Sequence, residues 1–302
     1  MLGSPHHGLV GCRDLAVASR FLSEIGFTEV RDEVLSIDDP NGLYGLGTTI
    51  TQRWLAVPSW SHGGIRLVET SNSNMRQATT DHGPFAFDVY TTDIEQSRER
   101  LSALGYQCSR IARLNFGAPF AQMKVEGPDG LRIVVVQSPR RRSVLDRDPD
   151  RLYSEAQSFV FVVPDTALDD EFWPLGGLER LMSGTVPMSA DLLNLLELPT
   201  GVDTMGMTLF WNPMNPDGAA RIEMLSFPAP QAVNPQQATL STLTTGLNAV
   251  CFEVDDIQGE ARKFQSSKPI QMSNAAGQQV SMSEGRSPAG VRFELWSRSA
   301  NE

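Results

Sequence analysis

Four times along this chain a short apolar run, alternating with polar residues, ends in an aspartate and hands over to a helix-like period. The apolar runs lie at 9–10, 87–89, 159–163 and 250–254, and the aspartates are Asp14, Asp93, Asp165 and Asp256. A period of two predicts half-buried strands, and an aspartate ahead of an apolar stripe with a 3.6 period predicts a capped helix. Each unit then closes on a further alternating run, at 65–69, 131–135, 220–224 and 291–295, with Arg66, Arg132, Arg221 and Arg292 in second place. The repeating unit is therefore a strand, a helix and two or three more strands, and four copies of it account for nearly the whole chain.

The units differ in regularity. Helices are predicted over 14–25, over 94–104 with a stop at Gly105, and over 257–264. Strands are predicted at 27–34 and 45–57, with the turn residues 38–42 between them. In unit three Pro174 and Gly176-Gly177 follow the apolar residues Phe172 and Trp173, so a short or irregular helix is expected. The leucine-rich stretch 191–198 predicts an inserted helix, open to three roles: lid, dimer contact or extra core. A charged segment containing Arg140, Arg141 and Arg142 reads as a solvated linker, and Pro, Gln and Ala dominate a second linker at 228–237. The expected division is a first domain over 1–137, a linker over 138–154 and a second domain over 155–302.

Charge and composition narrow the function classes. A net charge of −11 over 302 residues argues against nucleic acid, whose phosphates need a basic face. Neither a signal-like start nor a long apolar span is present, so a cytoplasmic protein without a membrane partner is expected. The three cysteines, Cys12, Cys108 and Cys251, are far apart and read as reduced thiols.

Three stretches carry a resemblance: 7–15 with Phe21 on the helix that follows, 127–133, and 288–295. Repeated in register, the four βαβββ units resemble the vicinal oxygen chelate superfamily, which includes glyoxalase I, extradiol dioxygenases, methylmalonyl-CoA epimerase and bleomycin-resistance proteins. The resemblance implies an α+β fold in which pairs of units curl into two glyoxalase-like half-open β-barrels, each with a ligand inside. Which units share a barrel is left open, neighbours or units one with four.

The resemblance also implies where metal ligands would stand. One is a histidine seven residues before the anchoring aspartate, and the other a glutamate two residues after the closing-strand arginine. Counting gives His7, Ala86, Ser158 and Ala249 for the first place and Val68, Val134, Glu223 and Glu294 for the second. Only His7, Glu223 and Glu294 can ligate, which does not supply the two histidines and a carboxylate of a non-haem iron dioxygenase. A slip of one residue would bring Glu69 in place of Val68.

The expectation is thus a site without a cofactor, a divalent metal held by His7, Glu294 and Glu223 being the alternative. In the metal-free case Glu223 and Glu294 form a pair of carboxylates whose burial separates acid from base. His7 joins them, and Trp54, His62, Trp211 and Trp296 are the candidate substrate-binding residues. That constellation suits a lyase, isomerase or epimerase moving a proton next to a carbonyl on an aromatic or polycyclic small molecule. The rival expectations are a metal-free protein that sequesters a drug or metabolite, and a metal-dependent glyoxalase or dioxygenase. A homodimer is compatible with all of them.

Overall fold

The computed structural model describes residues 1–73, 78–115, 117–139, 143–215, 220–228 and 242–298. Unit one consists of β1 (His7–Cys12), α1 (Leu15–Glu24), β2 (Glu29–Ile37), β3 (Thr49–Ala56) and β4 (Gly64–Glu69). Unit two consists of β5 (Gly83–Thr91), α2 (Ile94–Ala103), β6 (Gln107–Cys108), β7 (Ala112–Asn115), β8 (Pro119–Glu126) and β9 (Arg132–Gln137). Unit three has β10 (Tyr153–Val162), the four-residue α3 (Phe172–Leu175), β11 (Glu179–Pro187), α4 (Ala190–Leu196), β12 (Thr204–Trp211) and β13 (Arg221–Ser226). Unit four has β14 (Gly246–Glu253), α5 (Ile257–Lys263), β15 (Ile270–Asn274), β16 (Gln279–Arg286) and β17 (Arg292–Arg298).

The four anchoring aspartates all act as caps. Asp14 accepts from the backbone N–H of Ala16 and Val17, Asp93 from Gln96, and Asp256 from Gly259. Asp165 accepts from Ala167, but it starts only a 3-10 turn over Thr166–Asp169, and the short α3, which contains Pro174, follows separately. Each cap satisfies N–H groups that the first turn leaves without partners, which fixes where the chain turns from strand to helix.

In every unit the first and last strands lie parallel, as β1 does with β4 and β10 with β13. Units then join through antiparallel first strands, β1 with β14 and β5 with β10. Units one and four thereby close an eight-stranded barrel in the order β1-β14-β17-β16-β15-β2-β3-β4. Units two and three form a nine-stranded sheet whose main path runs from β11 to β6, with β7 paired to β8. The swapped pairing is the one adopted, so the expected halves 1–137 and 155–302 each contribute one unit to both sheets. The expected linker ends inside β10, and Arg140, Arg141 and Arg142 lie outside the described residues.

Where the sheets meet, Gly8 of β1 lies under the ring of Phe159, and a Cβ there would stand 2.5 Å from it. Gly63, with φ +66, receives the backbone N–H of Ala156 on its carbonyl at 3.0 Å. α4, the inserted leucine-rich helix, packs against β7 and lines the cup of the nine-stranded sheet with Leu192, Leu195 and Leu196. Among the described residues no helix is long and apolar enough to cross a membrane.

Candidate functional site

The cup of units two and three holds a cavity of about 750 Å³. Its walls are apolar: Phe120 and Val136, Met205 and Met207, and Leu192 with Leu195 from α4. Its polar groups are concentrated on three adjacent strands, where register places Asp88 of β5 beside Ser158 of β10, and Ser158 beside Arg221 of β13. One rung further on, Val160 separates Ala86 from Glu223. Asp88, Arg221 and Glu223 are half-buried, and all three line the cavity. Strict alternation would not let both Phe85 and Asp88 face it. The pairing of Val160 with Ala86 but Phe161 with Pro84 leaves Phe85 as the extra residue of a bulge, which turns its ring inward.

Asp88 and Glu223 come within hydrogen-bonding reach of each other, with the Ser158 hydroxyl beside both. Two carboxylate oxygens can bond only through a proton. Burial, followed by the charge of Glu223, raises Asp88 well above the usual carboxylate range. Glu223 is also raised by burial, while the guanidinium of Arg221 opposes the rise. Burial thus raises both carboxyls, and Glu223 raises Asp88 further, an arrangement that favours a proton held between the two. Arg221 donates from Nη2 to the Tyr90 hydroxyl at 2.9 Å and from Nε to the Gln157 backbone carbonyl at 3.3 Å. Since the phenolic oxygen already accepts from Arg221, its own proton is free to be given elsewhere, and Tyr90 lines the cavity.

The barrel of units one and four contrasts with this. Its interior is filled by side chains, and the loop between β2 and β3 drops Tyr44 into it with a left-handed φ of 60. At the centre lies a buried ion pair between Arg66 and Glu294. Arg66 also donates to His7 Nε2 at 3.2 Å, to Gln52 Oε1 at 3.1 Å and to the Tyr44 hydroxyl at 2.8 Å, and its guanidinium stacks 4.3 Å over Trp296. Glu294 accepts in addition from Tyr44 at 2.5 Å, from Trp296 Nε1 at 2.8 Å and from the Cys251 thiol at 3.4 Å. Burial alone would raise the Glu294 carboxyl, but Arg66 and then Arg292 outweigh it and hold the group below its usual range.

His7 is lowered well below an ordinary histidine by burial, with His6 and Arg66 adding to the effect. Because its Nε2 accepts from Arg66, its proton sits on Nδ1 and points to His6 Nδ1 at 2.9 Å. His6 in turn faces Glu253 at 3.5 Å. A hydrogen-bonded line thus runs from the buried guanidinium through His7 to His6, which lies beside Glu253 at the surface.

The structure brings together some of the residues singled out in the sequence and separates others. His7 and Glu294 share the barrel, together with Trp54 and Trp296, whose rings meet edge to face at 6.0 Å. Glu223 and Trp211 are in the open cup, so the expected carboxylate pair of Glu223 with Glu294 does not form, since their strands belong to different sheets. The partner of Glu223 is Asp88, two residues past the counted position Ala86. His62 lies outside both interiors, bonded to Ser61 and 3.4 Å from Asn215. Val68 points into the barrel and Glu69 is exposed, so the register slip does not occur.

Among the described residues one group could present three donors to a single ion: His7, Cys251 and Glu294, whose ligand atoms lie within 4.8 Å of one another. The spacing fits a metal. The guanidinium of Arg66 already stands among them, so an ion there would have to take its place.

No protein-family model matches the sequence, and no curated protein sequence matches it. Its architecture does have counterparts. Glyoxalase I from Zea mays superposes with a TM-score of 0.61 at 12% identity, over 97% of this chain and 92% of that one. The chain has the vicinal oxygen chelate fold. A putative dioxygenase from Bacillus subtilis subsp. subtilis str. 168 superposes at a TM-score of 0.58 and 12% identity, over 100% of this chain and 87% of that one. At such identities the likeness extends to the arrangement of the vicinal oxygen chelate units and no further.

Proposed function

We propose that the cup of units two and three binds a neutral, largely apolar carbonyl compound and moves a proton next to its carbonyl, as an isomerase, epimerase or lyase does. The observation that carries this reading is the neighbouring pair of carboxyls, Asp88 and Glu223, both raised by burial, at the polar end of an otherwise apolar cavity. With one proton on the pair, its remaining negative charge is balanced by Arg221, and such a polar end favours an uncharged ligand.

In this reading the Glu223 carboxylate takes a proton from the carbon beside the carbonyl. The C–H electron pair moves to the carbonyl oxygen, which becomes an enolate oxygen. Tyr90, polarised through its bond from Arg221, donates its hydroxyl hydrogen to that oxygen, where charge develops. Return of that proton by Glu223 to a different carbon on the same face isomerises the compound, whereas epimerisation takes the returning proton from water on the other face. The apolar walls keep bulk water away and strengthen each of these interactions. No step requires the His7, Cys251 and Glu294 group, which lies in the other barrel.

A second reading, passive sequestration of a small apolar molecule, draws on one feature. The acid pair and the Arg221–Tyr90 pair already satisfy one another and ask little of a ligand. Deuterium uptake at the α-carbon of 2-tetralone in heavy water, followed by proton NMR, separates the two readings. The catalytic reading expects uptake above buffer that is lost in Glu223→Gln. Binding of 2-tetralone without uptake supports sequestration, and no binding contradicts both.

A further inference from the structure

The barrel of units one and four has a charged centre that the open cup does not use. Three observations bear on its role. First, His7, Cys251 and Glu294 offer a nitrogen, a sulfur and a carboxylate oxygen within 4.8 Å of each other, a donor set suited to zinc or cobalt. Second, Arg66 reaches His7 and Glu294 directly and donates also to Gln52 and Tyr44, so each of its three nitrogens is hydrogen-bonded while the residue is 0% exposed. Third, the charge count is the same with either occupant. Arg66 and Glu294 cancel with Cys251 as a neutral thiol, and a divalent ion would be cancelled by Glu294 together with a Cys251 thiolate.

We propose that the Arg66 guanidinium is the resident cation of this barrel, standing where a divalent metal would otherwise bind, and that the barrel's centre is a latent zinc or cobalt site closed by that one side chain. The chain has then divided its two sheets between tasks. One is a packed, ion-paired core that fixes the first strands β1 and β14, and the other remains an open cup. The assignment also accounts for Tyr44. A filled metal site in a cup needs access for its ligand, whereas here the β2–β3 loop seals the centre, and the tyrosine hydroxyl bridges the two ions as donor to Glu294 and acceptor from Arg66.

The test uses Co²⁺ with the full chain at neutral pH, by equilibrium dialysis and absorption spectroscopy. Wild-type protein is expected to take up no cobalt at this site. Arg66→Ala is expected to bind about one Co²⁺ per chain, at least ~100-fold more tightly than wild type. Binding should show a thiolate-to-cobalt absorption band and release one proton from Cys251. Arg66→Ala combined with Cys251→Ser should lose the band. Free guanidinium at millimolar concentration should compete with cobalt for the vacated place. If Arg66→Ala folds only when Co²⁺ or guanidinium is supplied, the proposal also stands. It is overturned if wild type binds cobalt with the thiolate band, if the folded variant binds none, or if the variant stays unfolded with both additives present.

Discussion

Asp88 and Glu223 interact diagonally across β10, which lies between their strands and places Ser158 opposite Asp88 and Val160 opposite Glu223. This closeness is bound to a proton, and its consequences for stability have a definite sign. A carboxyl whose folded pKa is raised keeps its proton in the folded state where the unfolded chain has lost it. Stability from Asp88 is therefore greatest below the ordinary carboxylate range and falls as pH rises through the folded value. Asp88→Asn keeps a hydrogen-bond donor towards Glu223 and has no proton to lose. Thermal melts at pH 5 and pH 8 should show a smaller loss of Tm for this variant than for wild type.

Glu155 provides a second pH dependence at a different place. It is fully buried, accepting from the Val144 backbone N–H at 3.1 Å and from Gln157 at 2.5 Å, and burial raises its pKa to about 7. Its contribution to stability is present below the unfolded value and is lost as pH climbs to about 7. Glu155→Gln, which never ionises, should be more stable than wild type at pH 8 by up to about 3 kcal/mol. At pH 4 the two should unfold at nearly the same urea concentration.

α4 supplies one apolar wall of the cup. The residue that caps its C-terminus, Glu197, in a left-handed conformation at φ 54, pairs with Lys124 at 2.7 Å, and Lys124 also pairs with Glu126 at 3.1 Å. Glu197 is largely solvent-exposed, so the pair contributes less than about 1 kcal/mol. Glu197→Gln should speed amide hydrogen exchange in 190–196 a few-fold while leaving exchange in β10 unchanged. Equal acceleration in both would show that α4 does not open by itself.

Tyr44 presents the opposite case, a hydroxyl committed on both sides. Tyr44→Phe leaves Glu294 one donor short and Arg66 one acceptor short, both buried, and should cost about 2–3 kcal/mol in urea unfolding. A cost below about 0.5 kcal/mol would mean that the loop does not hold the barrel's ion pair.

The extent to which the sequence discloses this molecule follows from the range of each interaction. The anchoring aspartates are legible because a cap acts over three residues, and all four, Asp14, Asp93, Asp165 and Asp256, cap as their positions imply. Glu223 and Glu294 occupy matching places in their units for a similarly local reason, the two-residue period of a strand. What is not legible is long-range. Which first strands pair decides whether Glu223 faces Glu294 or Asp88, and no local pattern encodes it. Asp88 is missed because counting back from Asp93 arrives at Ala86, and the bulge at Phe85 alters which residues face inward. The arginine in each closing strand is visible as a repeat, yet that Arg66 would enter the place of a metal depends on Tyr44, Gln52 and Trp296 converging on it from elsewhere in the chain.

The central claim is that ligands enter the cup of units two and three and not the barrel of units one and four. Co-crystallisation with 6-bromo-2-tetralone and location of the bromine by anomalous scattering tests it most directly. The account predicts one bromine peak among the cup's apolar walls, near Met205 and Leu195, with the ketone oxygen directed to Tyr90 and Asp88. A peak between Trp54 and Trp296 in the barrel, or a cup left empty by a ligand bound elsewhere, would contradict it.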